Sequence, residues 1–390
     1  MFNPTLSTRL NIDGVEYTFT PHPAIPTLVW GQEGRHAIVF RLQRGNEAYG
    51  LKVFRPVFRH PGLIATAESL WTYHELPGML VCKQAVITRE GFPELVRQYE
   101  DLDYAMVMPW IEGDTWFDVI HKRSKLTLDQ SRAIADNMAW TLYALELNQL
   151  AHCDLSSGNV ILDPRMDQSH LVDVEDLYSP WLEQPPLVPA GTPGYQHKES
   201  AEKGQWGPMG DRFAGVVLIA EMLGWAHPDV RAKAWGESYF APDEIQQKGE
   251  RFETLAKALR IYHPGFTEAF EQAWRSERLD DCPPLKTWYD LLDGLPRDPV
   301  ASWAPIGSND FREEIDYLKE GTRPQRRKSE PKAAPDAPGQ PAQASASQPA
   351  SRGGCRIVAY VVGVAILLVC CLGGLAVVWS MATGLFGTGN

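Results

Sequence analysis

Residues 151–162 read Ala-His-Cys-Asp-Leu-Ser-Ser-Gly-Asn-Val-Ile-Leu, which places His152, Asp154 and Asn159 within one short polar stretch. An acid able to take up a proton and an amide able to ligate a cation, held at a fixed separation, suit metal-assisted chemistry on a phosphate. A further acid, Asp173, follows in Leu171-Val172-Asp173-Val174-Glu175, a run that reads as a strand ending in an acid. Far upstream, Lys52 stands alone among apolar neighbours in Ala48-Tyr49-Gly50-Leu51-Lys52-Val53-Phe54. Burying a lysine is costly unless it meets an anion, so it either reaches solvent or serves an anionic ligand.

Positioning such groups takes ordered elements on both sides of each. Residues 127–150 read as one helix: Thr127 and Gln130 form a capping box, and Ile134, Met138, Leu142 and Leu145 make one apolar face. It leads into the polar stretch, and the Val-Ile-Leu run that follows reads as a strand. Residues 29–40 read as two strands around a glycine-bearing turn at Gly34, where backbone N–H groups can approach phosphate oxygens closely. Residues 8–20 alternate around Asp13-Gly14 as a hairpin, residues 63–73 read as a helix carrying Glu68, and residues 104–114 as an apolar strand running into a turn. The run that opens at Asp211 and continues to Gly224 is a buried helix, too short in its apolar core to cross a bilayer.

Composition narrows the classes. A chain of 390 residues with 44% hydrophobic residues, 13 Trp and 14 Phe can bury a large core. The net charge of -12 gives no reason to expect a general nucleic-acid binder, which needs basic surface to meet phosphates, so no nucleic-acid partner is expected. The six cysteines are scattered, with no metal-ligand spacing outside the tail, and no apolar signal segment opens the chain. Reduced thiols and a cytoplasmic domain are expected.

The C-terminal part reads differently. Large apolar residues become scarce over 321–354, where Pro, Ala, Ser and Gln dominate, so a disordered linker is expected within 301–356. Residues 357–379 carry no charge and are long enough to span a bilayer, leaving a short tail at 380–390. Arg352 and Arg356 lie on the N-terminal side of this span, and the tail is uncharged. Positive charge stays inside, so the expectation is a single-pass cell-membrane anchor with the large domain facing the cytoplasm. Ala359 and Gly363 have a small-xxx-small spacing that permits a homodimer through the span.

The His-x-Asp…Asn loop resembles the catalytic loop of protein kinases. Lys52, Glu68, Asp154, Asn159, Asp173, the Gly191-Thr192-Pro193-Gly194-Tyr195-Gln196-His197-Lys198-Glu199 segment and Asp211 then occur in the order of that superfamily. The resemblance covers about residues 25–295 and is strongest over 152–223. It implies an α+β, bilobal fold with a β-rich N-lobe at 25–110 and a helical C-lobe at 111–300, preceded by a hairpin extension at 1–24. It further implies ATP and Mg2+ as cofactors and a protein substrate phosphorylated on Ser or Thr.

By the same resemblance, Asp154 accepts or orients the substrate proton, Asn159 and Asp173 hold magnesium, and Lys52 contacts the phosphates while pairing with Glu68. Gly34 lies over the phosphates, Met108 guards the back of the pocket, Ile111 offers its backbone to adenine, and Asp114 touches ribose. His152, Thr192, Glu199 and Asp211 support the loop and the segment that closes the activation region.

Several positions depart from the pattern. Gln32, Gly34 and Ala37 stand where three glycines are usual, Cys153 replaces the Arg that senses a phosphorylated activation segment, and Cys282 stands for the Arg that pairs with Glu199. Control by activation-segment phosphorylation is therefore not expected. Ser156 replaces a Lys and Val174-Glu175 replaces Phe-Gly. These leave two alternatives open: a pseudokinase that keeps fold and nucleotide as an interaction module, and a kinase of lipid or small-molecule substrates.

Overall fold

The computed structural model describes residues 2–185 and 187–295. The linker, the span and the tail expected beyond residue 300 lie outside the described residues; among those described, no helix is long and apolar enough to cross a membrane.

The chain starts with the hairpin that its alternation predicts, strands β1 (Arg9–Ile12) and β2 (Val15–Phe19), turned by Asp13 and Gly14, both at positive φ. This hairpin is no separate extension. β2 pairs with β4 (Ala37–Arg44) through Thr18↔Gln43 and Phe19↔Leu42, so it continues the main sheet. β3 (Gly31–Glu33) lies on the other end of β4, β5 (Glu47–Phe54) runs antiparallel along all of β4, and the helix α1 (Gly62–Trp71) follows. Next come β6 (Ala85–Val86), the short α2 (Pro93–Gln98) and β7 (Met106–Pro109). The sheet order is β1-β2-β4-β5-β7-β6, with β3 paired to β4. Pleating sends Leu51 and Val53 of β5 into one core with Phe40 and Leu42, and turns Lys52 to the opposite face.

The rest is largely helical. After β8 (Asp114–Thr115) come α3 (Trp116–His121) and α4 (Leu128–Leu147), each opened by a threonine capping box; for α4 this is the expected Thr127–Gln130 pair. The strands β9 (Val160–Leu162) and β10 (Ser169–Leu171) form a small sheet with β8, in the order β10-β9-β8. The helices α5 (Lys198–Lys203), α6 (Arg212–Gly224), α7 (Pro228–Lys233), α8 (Glu250–Tyr262), α9 (Pro264–Arg275) and α10 (Leu285–Asp293) complete the lobe. Every residue of α6 after Arg212 is buried, which explains a helix that is apolar all round in a globular domain. It packs against α4 as the axis of the larger core.

Two expected elements differ in extent. The helix carrying Glu68 ends at Trp71, and the strand expected over 171–175 stops at Leu171. Asp173 has φ 59°, a left-handed conformation that ends extended pairing, and a 3-10 turn takes up Val174–Asp176. Gly113 has φ 144°, and a Cβ there would lie 1.7 Å from the Leu162 carbonyl oxygen. Only glycine lets the chain leave β7 and turn directly onto β9.

Candidate active site

Asp211, at the start of α6, fixes the catalytic-type loop by its backbone. Its carboxylate accepts from the His152 N–H at 2.6 Å and from the Cys153 N–H at 2.8 Å. Cys153 has φ 64°, which allows two successive amides to converge on one carboxylate. Burial pushes the Asp211 carboxyl up, against the pull of His152 and of these two amides. His152 Nε2 lies 2.7 Å from the Val172 carbonyl, while Nδ1 accepts from the Asp154 N–H at 3.3 Å. With both ring nitrogens engaged by backbone partners, His152 holds the loop in place. Gln205, which sequence reasoning missed, donates its amide to the Cys153 carbonyl at 2.6 Å.

Asn159 donates its amide nitrogen to the Asp154 carbonyl at 2.8 Å, which leaves its amide oxygen as the group available to a cation. Thr192 donates its hydroxyl to Asp154 Oδ1 at 2.9 Å, joining the closing segment of the activation region to the proposed base. Burial pushes the Asp154 carboxyl up, and the charge of Asp173 adds to it. A carboxylate with raised proton affinity is suited to accept a hydroxyl proton.

From the sheet side, Lys52 is 4% exposed and places Nζ 2.7 Å from Asp173 Oδ1 and 2.7 Å from Glu175 Oε2. The lysine charge, foremost, holds Asp173 below the usual carboxylate range. The structure does not bring Glu68 to Lys52: Glu68 is exposed, while Leu63, Ala67 and Leu70 fill the inner side of α1. The expected pair fails because the carboxylate sits on the wrong face of its helix.

The glycine-bearing turn forms as expected, with the Gly34 N–H donating to the Ala37 carbonyl at 2.8 Å. Arg55 ties it to the end of β5, donating to the Arg35 carbonyl at 3.1 Å and to Glu33 at 2.6 Å. Met108, on β7, packs its side chain over Gly50 of β5, and Ile111 is half-buried against the larger core. Asp114 is exposed and pairs with Lys122 at 3.2 Å. Near this bend the Arg41 guanidinium lies over Trp30 and Trp110, 5.1 and 5.8 Å from the rings, and pairs with Glu112. Sequence reasoning missed this cluster; the only signal was a tryptophan at each strand end.

The activation region is tied by backbone. Ala151 and Tyr178 exchange two backbone hydrogen bonds, at 3.2 and 2.7 Å, the Tyr178 ring packs on Trp206, and Ser179 is fully buried. Ser179→Ala and Tyr178→Phe are each expected to keep activity within about tenfold of the wild type, because Cys153 stands where an arginine would read a phosphate. Initial-rate assays of the two variants check this, and a larger loss in either overturns it. Glu199 finds a substitute for the missing arginine: it accepts from the Leu279 N–H at 2.9 Å and pairs with Lys203. Cys282 is buried with its thiol 3.3 Å from Ser276 Oγ. Tyr195, in the same closing segment, donates its hydroxyl to the buried Glu221 of α6 at 2.9 Å.

Among the described residues no three His, Cys, Asp or Glu side chains cluster to cage a metal. Asn159 and Asp173 instead fit a magnesium that takes few protein ligands and completes its shell with water and phosphate oxygens. Over 215 residues the chain is 27% identical to the SNF1-related protein kinase catalytic subunit alpha KIN12 of Arabidopsis thaliana, covering 50% of this chain and 42% of that one. The match thus spans less than half the length of that relative. No family model matches the chain. The likeness is distant and supports the protein kinase superfamily.

Proposed function

We propose that the chain is an ATP-dependent kinase that transfers the γ-phosphoryl group to Ser or Thr hydroxyls of a protein, from a domain anchored to a membrane. The observation that carries this reading is the contact of Lys52 with Asp173, residues 121 apart, beside a loop that holds Asp154 and Asn159. Asp154 takes the proton of the attacking hydroxyl at the carboxylate oxygen that Thr192 leaves free. The hydroxyl oxygen bonds to the γ-phosphorus as the bond to the β,γ-bridging oxygen breaks. Lys52 binds the phosphates, and Asn159 and Asp173 would hold magnesium. Bound there, the ion neutralises the phosphate charge; placement by these side chains supplies the rest.

Membrane attachment rests on residues 357–379, with the domain on the cytoplasmic side and a homodimer through the span as one arrangement. A second reading is favoured by Ser156, which is 6% exposed where a lysine would face the transferring phosphate. It makes the substrate a lipid or small molecule.

Full-length protein incubated with magnesium, γ-labelled ATP and either a generic protein or lipid vesicles separates the readings. Label on protein is expected, and label on lipid alone replaces the first reading with the second. Asp154→Ala is expected to lower transfer by about 10²–10⁴-fold while leaving nucleotide binding in place. ATP binding without transfer to either acceptor overturns both readings and leaves an interaction module.

A further inference from the structure

We infer that Glu175 is the residue that positions Lys52 for the nucleotide phosphates, in place of an acid on α1. This rests on the nucleotide-dependent reading of the site. Lys52 is buried, its ammonium carries three donors, and it is held by the Phe54 ring at 5.5 Å and by two carboxylates. The two carboxylates are not equivalent. The Asp173 side chain is 53% exposed and is the one suited to a cation, whereas Glu175 is 15% exposed. When Asp173 turns to a cation, Glu175 is the anion that remains with the lysine. A buried ammonium deprived of both would be strongly destabilised.

The backbone explains why this position can do the work. The left-handed Asp173 and the 3-10 turn after it, pinned by the buried Val174, carry Glu175 back toward β5. α1 contains one acid, Glu68, and that acid faces outward. The lysine anchor therefore sits two residues from Asp173 on the same turn, and α1 supplies neither of the carboxylates that hold Lys52. Glu175 touches Lys52 and no reacting atom, so it is a positioning residue.

The test compares wild type, Glu68→Gln, Glu175→Gln, Glu175→Asp, Lys52→Met and the Lys52→Met/Glu175→Gln pair, reading MgATP dissociation constants, thermal unfolding and the split of kcat against KM for ATP. Glu175→Gln is expected to weaken MgATP about tenfold and raise KM more than it lowers kcat. Glu68→Gln stays within about twofold, Glu175→Asp recovers part of the loss, and the double variant binds no worse than Lys52→Met alone. Should Glu175→Gln unfold, Glu175→Asp against Glu68→Gln carries the comparison. Wild-type binding with an unaffected Glu175→Gln, a weakened Glu68→Gln, or additive losses in the pair overturns this assignment alone. A wild type that binds no MgATP overturns the functional reading together with it.

Discussion

Asp211→Ala is expected to cost about 2–6 kcal/mol of stability and to abolish phosphoryl transfer, since two buried amides lose their acceptor and each unsatisfied group costs about 1–3 kcal/mol. The amides are those of His152 and Cys153, and Asp211 is 3% exposed, so water does not replace the lost bonds. Against a typical total of about 5–15 kcal/mol, this is a large share. Activity should fall further than the unfolded fraction accounts for, because Asp154 is the next residue along the released loop. Asp211→Asn keeps one acceptor oxygen and should fall between. Urea denaturation with rates at saturating MgATP distinguishes these, and an Asp211→Ala protein with wild-type stability and rate refutes the account.

Glu221 should make stability depend on pH with the opposite slope to that of an ordinary paired carboxylate. It is fully buried in α6 and accepts from Trp116 Nε1 and the Tyr195 hydroxyl, each at 2.9 Å, and from the Tyr239 N–H at 3.2 Å. Burial nevertheless dominates and raises its pKa from 4.5 to about 7. Between those values the folded protein retains a proton that the unfolded chain has released. The contribution is therefore fully present below pH 4.5 and is lost as pH rises through 7. At 1.36 kcal/mol per unit the change is roughly 3 kcal/mol. Glu221→Gln cannot titrate, so the stability difference between it and wild type should shift by roughly that amount over this range. Denaturant titrations at several pH values measure it, and parallel pH profiles for the two proteins exclude the effect.

Much of this architecture is legible where local rules act alone. The capping box that opens α4, the Asp13-Gly14 hairpin and the apolar run of α6 each follow from periodicity and end chemistry. The tie between Asp211 and the loop is likewise legible, because the order of residues implies it. Partner choice is not. Which carboxylate meets Lys52 depends on the face of α1 that carries Glu68 and on one left-handed residue at Asp173, and neither leaves a mark in spacing. Gln205 and the Arg41 cluster were invisible for a similar reason, since their partners lie 52 and 71 positions away. Glu199 shows the reverse case: its expected side-chain partner is gone, and a backbone amide fills the place.

The position of Glu175 also bears on how sequences of this kind can diverge. An acid at the residue two after Asp173 can take over the duty that the resemblance assigned to the acid on α1, and a chain that fills the turn position releases the helix position to drift. A glycine at position 175 and an outward-facing or absent acid at 68 would leave the buried lysine with Asp173 alone. Relatives of this chain should therefore vary at these two positions as exchangeable halves of one constraint, with the acid migrating between helix and turn while Lys52 stays fixed.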